Sequence, residues 1–259
     1  MGLRACVLVF SLVACSATAQ EPIVCTDRPT NGNAVCTVPE GRFQIEMDFI
    51  NWSRSDTAFG DTETLLFTNP ILKYGLTGRS DLQVSISPRV RTRTDTATGR
   101  ISDSTVSDLL IRYKYRFSET GARVDYGVIP FITIPTASDG NDRVSGGVAV
   151  PISFALSDKW TLVTSPQINL VPDSASGGYH LGLVNLINLG YAVTSRFALY
   201  GEIFAQNDFD PAGESHVYTA DFAATYLITP RIQIDAGANI GLSDEAADLQ
   251  LYSGLSVLF

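Results

Sequence analysis

Apolar and polar residues alternate with a period of two along most of the chain after residue 40. The stretch 231–242 shows it most plainly. Ile232, Ile234, Ala236, Ala238, Ile240 and Leu242 fall on one face; Arg231, Gln233, Asp235, Gly237, Asn239 and Gly241 fall on the other. Successive side chains of a strand point to opposite faces, so the pattern predicts an antiparallel strand with one wet face. The same reading places strands at roughly 42–53, 63–76, 81–94, 105–117, 122–135, 143–157, 159–171, 179–193, 196–208, 216–228, 231–242 and 248–259. The connections alternate between two kinds. "LTGRS", "SETGA", "LSDK", "VTSR" and "ITPR" are short; "SDTAFGDT", "DTATGRISDS", "ASDGND", "PDSASGG", "FDPAGES" and "SDEAAD" are longer and polar. An even strand number, short turns at one end and long loops at the other form the outer-membrane pattern. The expectation is an all-β fold over 41–259: a closed antiparallel up-and-down transmembrane β-barrel of about 12 strands.

Tyr74, Phe117, Trp160, Tyr191, Phe197 and Tyr226 sit within a few residues of short turns, as a girdle at one membrane interface requires. A soluble β-sandwich would also bury aromatics. It needs neither an even strand count nor two loop classes. Pro70, Pro88, Pro130, Pro151 and Pro166 fall inside expected strands, where each removes a ladder donor. They lie at similar heights, which suggests a belt of bulges. The alternative is a kinked wall that opens sideways.

The first residues read differently. Arg4, the apolar run Ala5–Ala14 and Ala17-Thr18-Ala19 make a secretory signal peptide over 1–19. "LVAC" ending at Cys15 also resembles a lipobox, which would place a lipid on that cysteine. Residues 20–40 then form a periplasmic N-terminal segment, with Cys25 and Cys36 placed to form a structural disulfide in an exported chain.

Charge sets the expected lumen. The net charge of −9 argues against a nucleic-acid partner. Arg89, Arg91 and Arg93 alternate along one expected strand, and Arg112, Lys114 and Arg116 along the next. A charge facing lipid near the midplane costs about 2–4 kcal/mol, so these residues are expected to face inward. Lys73 and Arg123 extend the patch. Glu46, Asp48, Glu202, Asp221 and Asp235 would face them from an acidic wall. Opposed walls make a transverse field that orients polar solutes. The alternative is that the charges pair and seal the barrel. Only His180 and His216 are present, with no acid spaced to orient His180, so neither a nucleophile–base pair nor a metal site is expected. No cofactor motif occurs.

"DRPTNGNAVCTVPEGRFQIEMDF" resembles the opening of the outer-membrane proteins named for the meta-pathway of phenol degradation. The matching residues are Asp27, Arg28 and Pro29, then Gly41, Phe43, Gln44, Ile45 and Glu46. "YGLTGRSDLQV", "GYAVTSRFALYGE" and "YLITPRIQIDAG" are similar, as is the closing Gly-Leu-x-x-x-Phe. The resemblance implies a transporter or channel, linked by the family's name to aromatic catabolism.

The expected function is passive passage of small solutes, including organic anions, through the outer membrane. The partners are the lipid bilayer, the solute and the barrel assembly machinery; oligomeric state is left open. A sealed structural barrel and a surface adhesin acting through its loops are the other readings. The chain ends on a half-apolar strand in which Leu251, Leu255, Val257 and Phe259 share a face. Such an ending resembles an assembly signal, carried by Phe259, Val257 and Leu255, on a strand that closes against the first near Phe43 to Asp48.

Overall fold

The computed structural model describes residues 23–57, 60–119, 121–137 and 142–259. The expected signal peptide, its cleavage site and the alternative lipid site Cys15 lie outside them. The chain forms β1 (Phe43–Thr57), β2 (Gly60–Phe67), β3 (Ile71–Thr77), β4 (Ser80–Ser85), β5 (Arg89–Thr96) and β6 (Gly99–Thr105). It continues with β7 (Leu109–Arg116), β8 (Val124–Ile134), β9 (Ser145–Ala149), β10 (Ile152–Ala155), β11 (Trp160–Thr164) and β12 (Gln167–Pro172). It finishes with β13 (Tyr179–Ala192), β14 (Phe197–Asp208), β15 (Ser215–Thr229), β16 (Ile232–Gly241) and β17 (Leu249–Leu258). β2–β3, β4–β5, β6–β7, β9–β10 and β11–β12 are each one strand with an interruption. The result is a closed antiparallel barrel of 12 strands. Closure is between β1 and β17, with Gln44 opposite Leu258 and Asp48 opposite Gly254. Phe259 adds one further bond, donating its N–H to the Phe43 carbonyl at 2.8 Å.

The interruptions explain the prolines. Pro70, Pro88, Pro151 and Pro166 lie between strand segments, and only Pro130 stays inside one, in β8. The alternative of a sideways opening does not result, because the seams are stitched. Asp48 donates its N–H to Thr68 at 3.2 Å, and Ser107 donates to Ser87 at 2.9 Å. The Ser87 hydroxyl reaches Asn69 at 2.5 Å. On the other seam Val150 donates to Pro166 at 2.9 Å and Gly127 to Pro151 at 3.0 Å.

The first seam also exchanges faces. Residues directly opposite in an antiparallel ladder share a face. A change of alternation in one strand therefore forces the same change in its neighbours. β1 shifts register between Asp48 and Ile50, and beyond the seam Trp52 pairs with Leu65, which pairs with Arg91, which pairs with Ser104. Above this level β6 pairs, among the described residues, with β5 alone, so the sheet rises out of the barrel as a tongue. The stretch 95–104, expected as a loop, is mostly strand. Arg100 and Asp95 pair across it at 2.5 Å, and its polarity hid the alternation.

The outer face is apolar. Phe49, Leu72, Ile168, Ile187, Ile203, Phe222 and Leu251 are exposed on it. Aromatic rings collect beside the short turns: Phe43 and Tyr74 have centroids 4.5 Å apart, as do Trp160 and Tyr191. Phe197 lies opposite Tyr226.

Candidate functional site

The fully buried large side chains are mostly polar, including Lys73, Lys114, Gln44, Gln83, Glu46, Asp48, Asp81 and Asp221. A barrel with a lipid-facing exterior folds inside out in this sense, and its polar groups must find partners within. They find them in the N-terminal segment. Residues 23–40, expected in the periplasm, run into the lumen and back. This placement is a correction. Its cause is the charge on the walls, which the strands neutralise only in part, as in the pair of Lys73 with Glu46 at 2.5 Å.

Two adjacent residues do most of that pairing. The Asp27 carboxylate accepts from Lys73 Nζ at 2.7 Å and Lys114 Nζ at 2.7 Å, with Arg112 at 3.7 Å. Burial alone would raise the Asp27 pKa; the cations Lys114, Lys73 and Arg112 outweigh it and hold the carboxyl below the usual carboxylate range. Arg28 reaches the other way, to Asp48 at 2.5 Å and Asp235 at 2.8 Å. The dipeptide thus ties the basic wall to the acidic wall across the barrel axis. Further along the turn, Asn31 donates its backbone N–H to Glu202 at 3.0 Å and its amide to Asp221 at 2.8 Å. Asn33 accepts from Arg112 and donates to Ser165 at 3.1 Å.

The return arm is fixed by the wall and by a covalent link. Cys25 and Cys36 are disulfide-bonded. Val38 donates to Asp81 at 2.9 Å, and Gln44 exchanges bonds with the Cys25 backbone. Two wall glycines leave room for the segment. A Cβ at Gly75 would collide with the Pro39 carbonyl, and one at Gly254 with the Arg28 guanidinium.

The expected acidic residues Glu46, Asp48, Glu202, Asp221 and Asp235 all lie buried in the lumen. Of the basic residues, Lys73, Lys114 and Arg116 are buried there too, and Arg112 faces it. Arg89, Arg91 and Arg93 do not. Their ladder partners Phe67, Leu65 and Glu63 share the outer face with Trp52 and Leu251, so the face exchange at the seam turns these arginines outward. Arg123 is exposed beside a short turn. The residues missed from sequence are Asp27, Arg28, Asn31 and Asn33. Adjacent opposite charges ahead of a strand whose barrel carries unpaired walls were the available signal.

Two cavities flank the turn 27–33. One of about 210 Å³ lies toward the long loops, among Asp27, Arg28, Asp48, Asn69, Arg112 and Gln250. The other, of about 160 Å³, lies toward the short turns, among Thr26, Ala34, Asn188, Tyr200 and Gln233. A third, of about 210 Å³, is bordered by Asn33, Arg112, Phe131 and Gln167. Arg112 borders both larger cavities and is 13% exposed, whereas Lys73 and Lys114 are enclosed by their partners.

At the external rim His180, which sequence spacing left without an acid, lies between Asp173 at 3.0 Å and Asp208 at 2.7 Å. Ligand atoms of Asp173, His180 and Asp210 lie within 4.8 Å of one another. Ser176 donates to Asp173 rather than to the imidazole, so the three do not make a nucleophile–base pair. Asp210 already accepts the N–H groups of Ser174 and Ala212, and the cluster ties two loops together.

A closed barrel with a polar, plugged lumen and an apolar exterior defines a porin-like, outer-membrane-type fold. The chain belongs to the family described as "Putative MetA-pathway of phenol degradation", which matches residues 26–259. It is similar to the COG4313 outer membrane channel from Pseudomonas putida F1, with 15% identity, 89% of this chain and 100% of that chain covered, and a TM-score of 0.72. The NanC porin is similar at 9% identity, covering 84% and 99%, with a TM-score of 0.53. The KdgM porin is similar at 8% identity, covering 83% and 99%, with a TM-score of 0.52. These identities speak for the fold. No curated protein matches the sequence.

Proposed function

We propose that the protein is an outer-membrane channel for passive passage of small solutes, with the turn 27–33 as its constriction. The observation that carries this is the pair of cavities above and below the Asp27–Arg28 link, each bordered by the link itself, the upper one mainly polar and the lower one more apolar with Asn188 and Gln233 in its wall. The names of the similar structures, an outer membrane channel and two porins, point the same way. Of the two cations bordering the upper space, Arg28 is held by Asp48 and Asp235 while Arg112 lies 3.7 Å from Asp27, so Arg112 is the cation offered to a solute and the favoured solute is a small organic anion, bound through its carboxylate. The family name, which refers to phenol degradation, adds an aromatic ring to this reading.

A sealed structural barrel is the second reading. It is favoured by the completeness with which Asp27 and Arg28 neutralise the walls. Planar-bilayer recording of the folded protein separates the two. The channel reading expects discrete conductance steps that shift toward cation preference in Arg112→Glu. Silent insertion of folded barrels would leave only the structural reading.

A further inference from the structure

We propose that Arg89 and Arg91, on the outward face of β5, dock the phosphorylated headgroups of outer-leaflet lipids. The proposal rests on the chain spanning the outer membrane, and on nothing about what passes through it.

Height comes first. Leu82 lies in the ladder row of Phe43, Tyr74 and Tyr113, the aromatic level beside the short turns. Arg91 lies nine residues further along the same interrupted strand. At about 3.3 Å per residue and a tilt of about 40°, this is ~23 Å along the barrel axis. The apolar band of such barrels is about 25 Å tall. Arg91 therefore sits at its outer boundary. Trp52 and Leu65 share its row, and an indole is the side chain favoured at a membrane interface. Arg89 starts slightly lower and can extend its guanidinium upward while its stem covers apolar surface.

Charge comes second. Higher on the tongue every cation in the structure has an acid: Arg54 pairs with Asp61 at 2.7 Å, Arg93 with Asp95 at 3.7 Å and Arg100 with Asp95 at 2.5 Å. Among the described residues Arg89 and Arg91 have none. Arg89 lies over the Phe67 ring at 5.5 Å and donates Nε to Ser104 at 3.3 Å. Arg91 is exposed between Leu65 and Ser104. Facing lipid without an acid, two guanidinium forks one alternation apart present the geometry that binds a phosphate group bidentately. The unpaired cations are thus the two nearest the headgroups, and the paired ones stand above them.

The test is native mass spectrometry of the folded protein exchanged into mild detergent with a phosphorylated outer-leaflet glycolipid, or with the same lipid dephosphorylated. Heat-modifiable gel migration reports folding. Each cation near an anionic surface is worth about a factor of five, so Arg89→Gln with Arg91→Gln should retain about thirtyfold less of the phosphorylated lipid, and each single variant about fivefold less. Arg89→Lys with Arg91→Lys should fall between the wild type and the double Gln variant, since an ammonium keeps the charge without the fork; Arg54→Gln should match the wild type, and the dephosphorylated lipid should not distinguish any of them. Equal retention of phosphorylated lipid by wild type and by the folded single or double Gln variants would overturn the site. So would equal retention of the two lipids by the wild type. Conductance is read separately: selective lipid retention by a non-conducting barrel would keep this site and remove the channel.

Discussion

Asp27 holds Lys73 and Lys114 with one carboxylate, and neither lysine has more than 1% of its side chain exposed. Removing the acid would leave the buried Lys114 ammonium without its salt bridge and Lys73 with Glu46, at 2.5 Å, as its remaining partner. Breaking such a pair costs about 3–5 kcal/mol. Asp27→Ala should therefore lower the temperature at which the barrel loses its heat-modifiable mobility, more than Arg112→Gln does. The pH dependence has a definite sign. The folded pKa of Asp27 is depressed, so its contribution is complete above the unfolded value of about 3.9 and is lost only as pH falls through the lower folded value. The stability difference between wild type and Asp27→Asn should stay constant from neutral pH down to about 4 and shrink in more acidic solution. A difference that vanished between pH 7 and 5 would mean that the ion pairs do not hold the turn. At this scale the sequence was legible for the acids and misleading for half of the bases. Arg112, Lys114 and Arg116 follow an unbroken alternation. Arg89, Arg91 and Arg93 lie beyond Pro88, where three irregular residues exchange the faces and no local pattern records it.

Among the elements, the N-terminal segment is the one that sequence periodicity could not place, because it has no regular structure to leave a period. Its fixed points are long-range contacts to β1, β3, β4, β7, β14, β15, β16 and β17. The strands, by contrast, were readable to within a few residues outside the tongue, where β1, β2 and β6 run beyond their expected limits, and closure of β1 on β17 followed from the alternation in "LQLYSGLSVLF". The segment is held at both ends of its turn by Cys25–Cys36, across a separation of 11 residues. Closing a loop of roughly this size is worth about 3 kcal/mol. With both cysteines changed to serine, thermolysin, which cuts before apolar residues, should cleave folded barrels at Ala34–Val35, while the disulfide-bonded protein resists. Gly75→Val pushes on the same segment from the wall, since even a Cβ there meets the Pro39 carbonyl. The expected outcome is a folded barrel with larger conductance; unchanged conductance would mean that the segment does not set the constriction.

For the whole molecule, the apolar outer face and the aromatic level near the short turns fit insertion into a bilayer, and the closing strand completes the barrel. Leu255 and Val257 face outward, and Gly254, Ser256 and Leu258 face inward. Phe259 is 62% exposed, and its one recorded bond is the backbone contact to Phe43. So small a share in the packed barrel fits a residue read during assembly. Its deletion should reduce the folded yield in the outer membrane while leaving the thermal stability of the barrels that do form unchanged. The account stands or falls on the Asp27–Arg28 link as the constriction of a channel. Single-channel recording of wild type beside Asp27→Ala with Arg28→Ala, both verified as folded, measures this directly. The account predicts conducting wild-type barrels and severalfold larger steps in the double variant. Equal conductance in the two, or none in either, would contradict it.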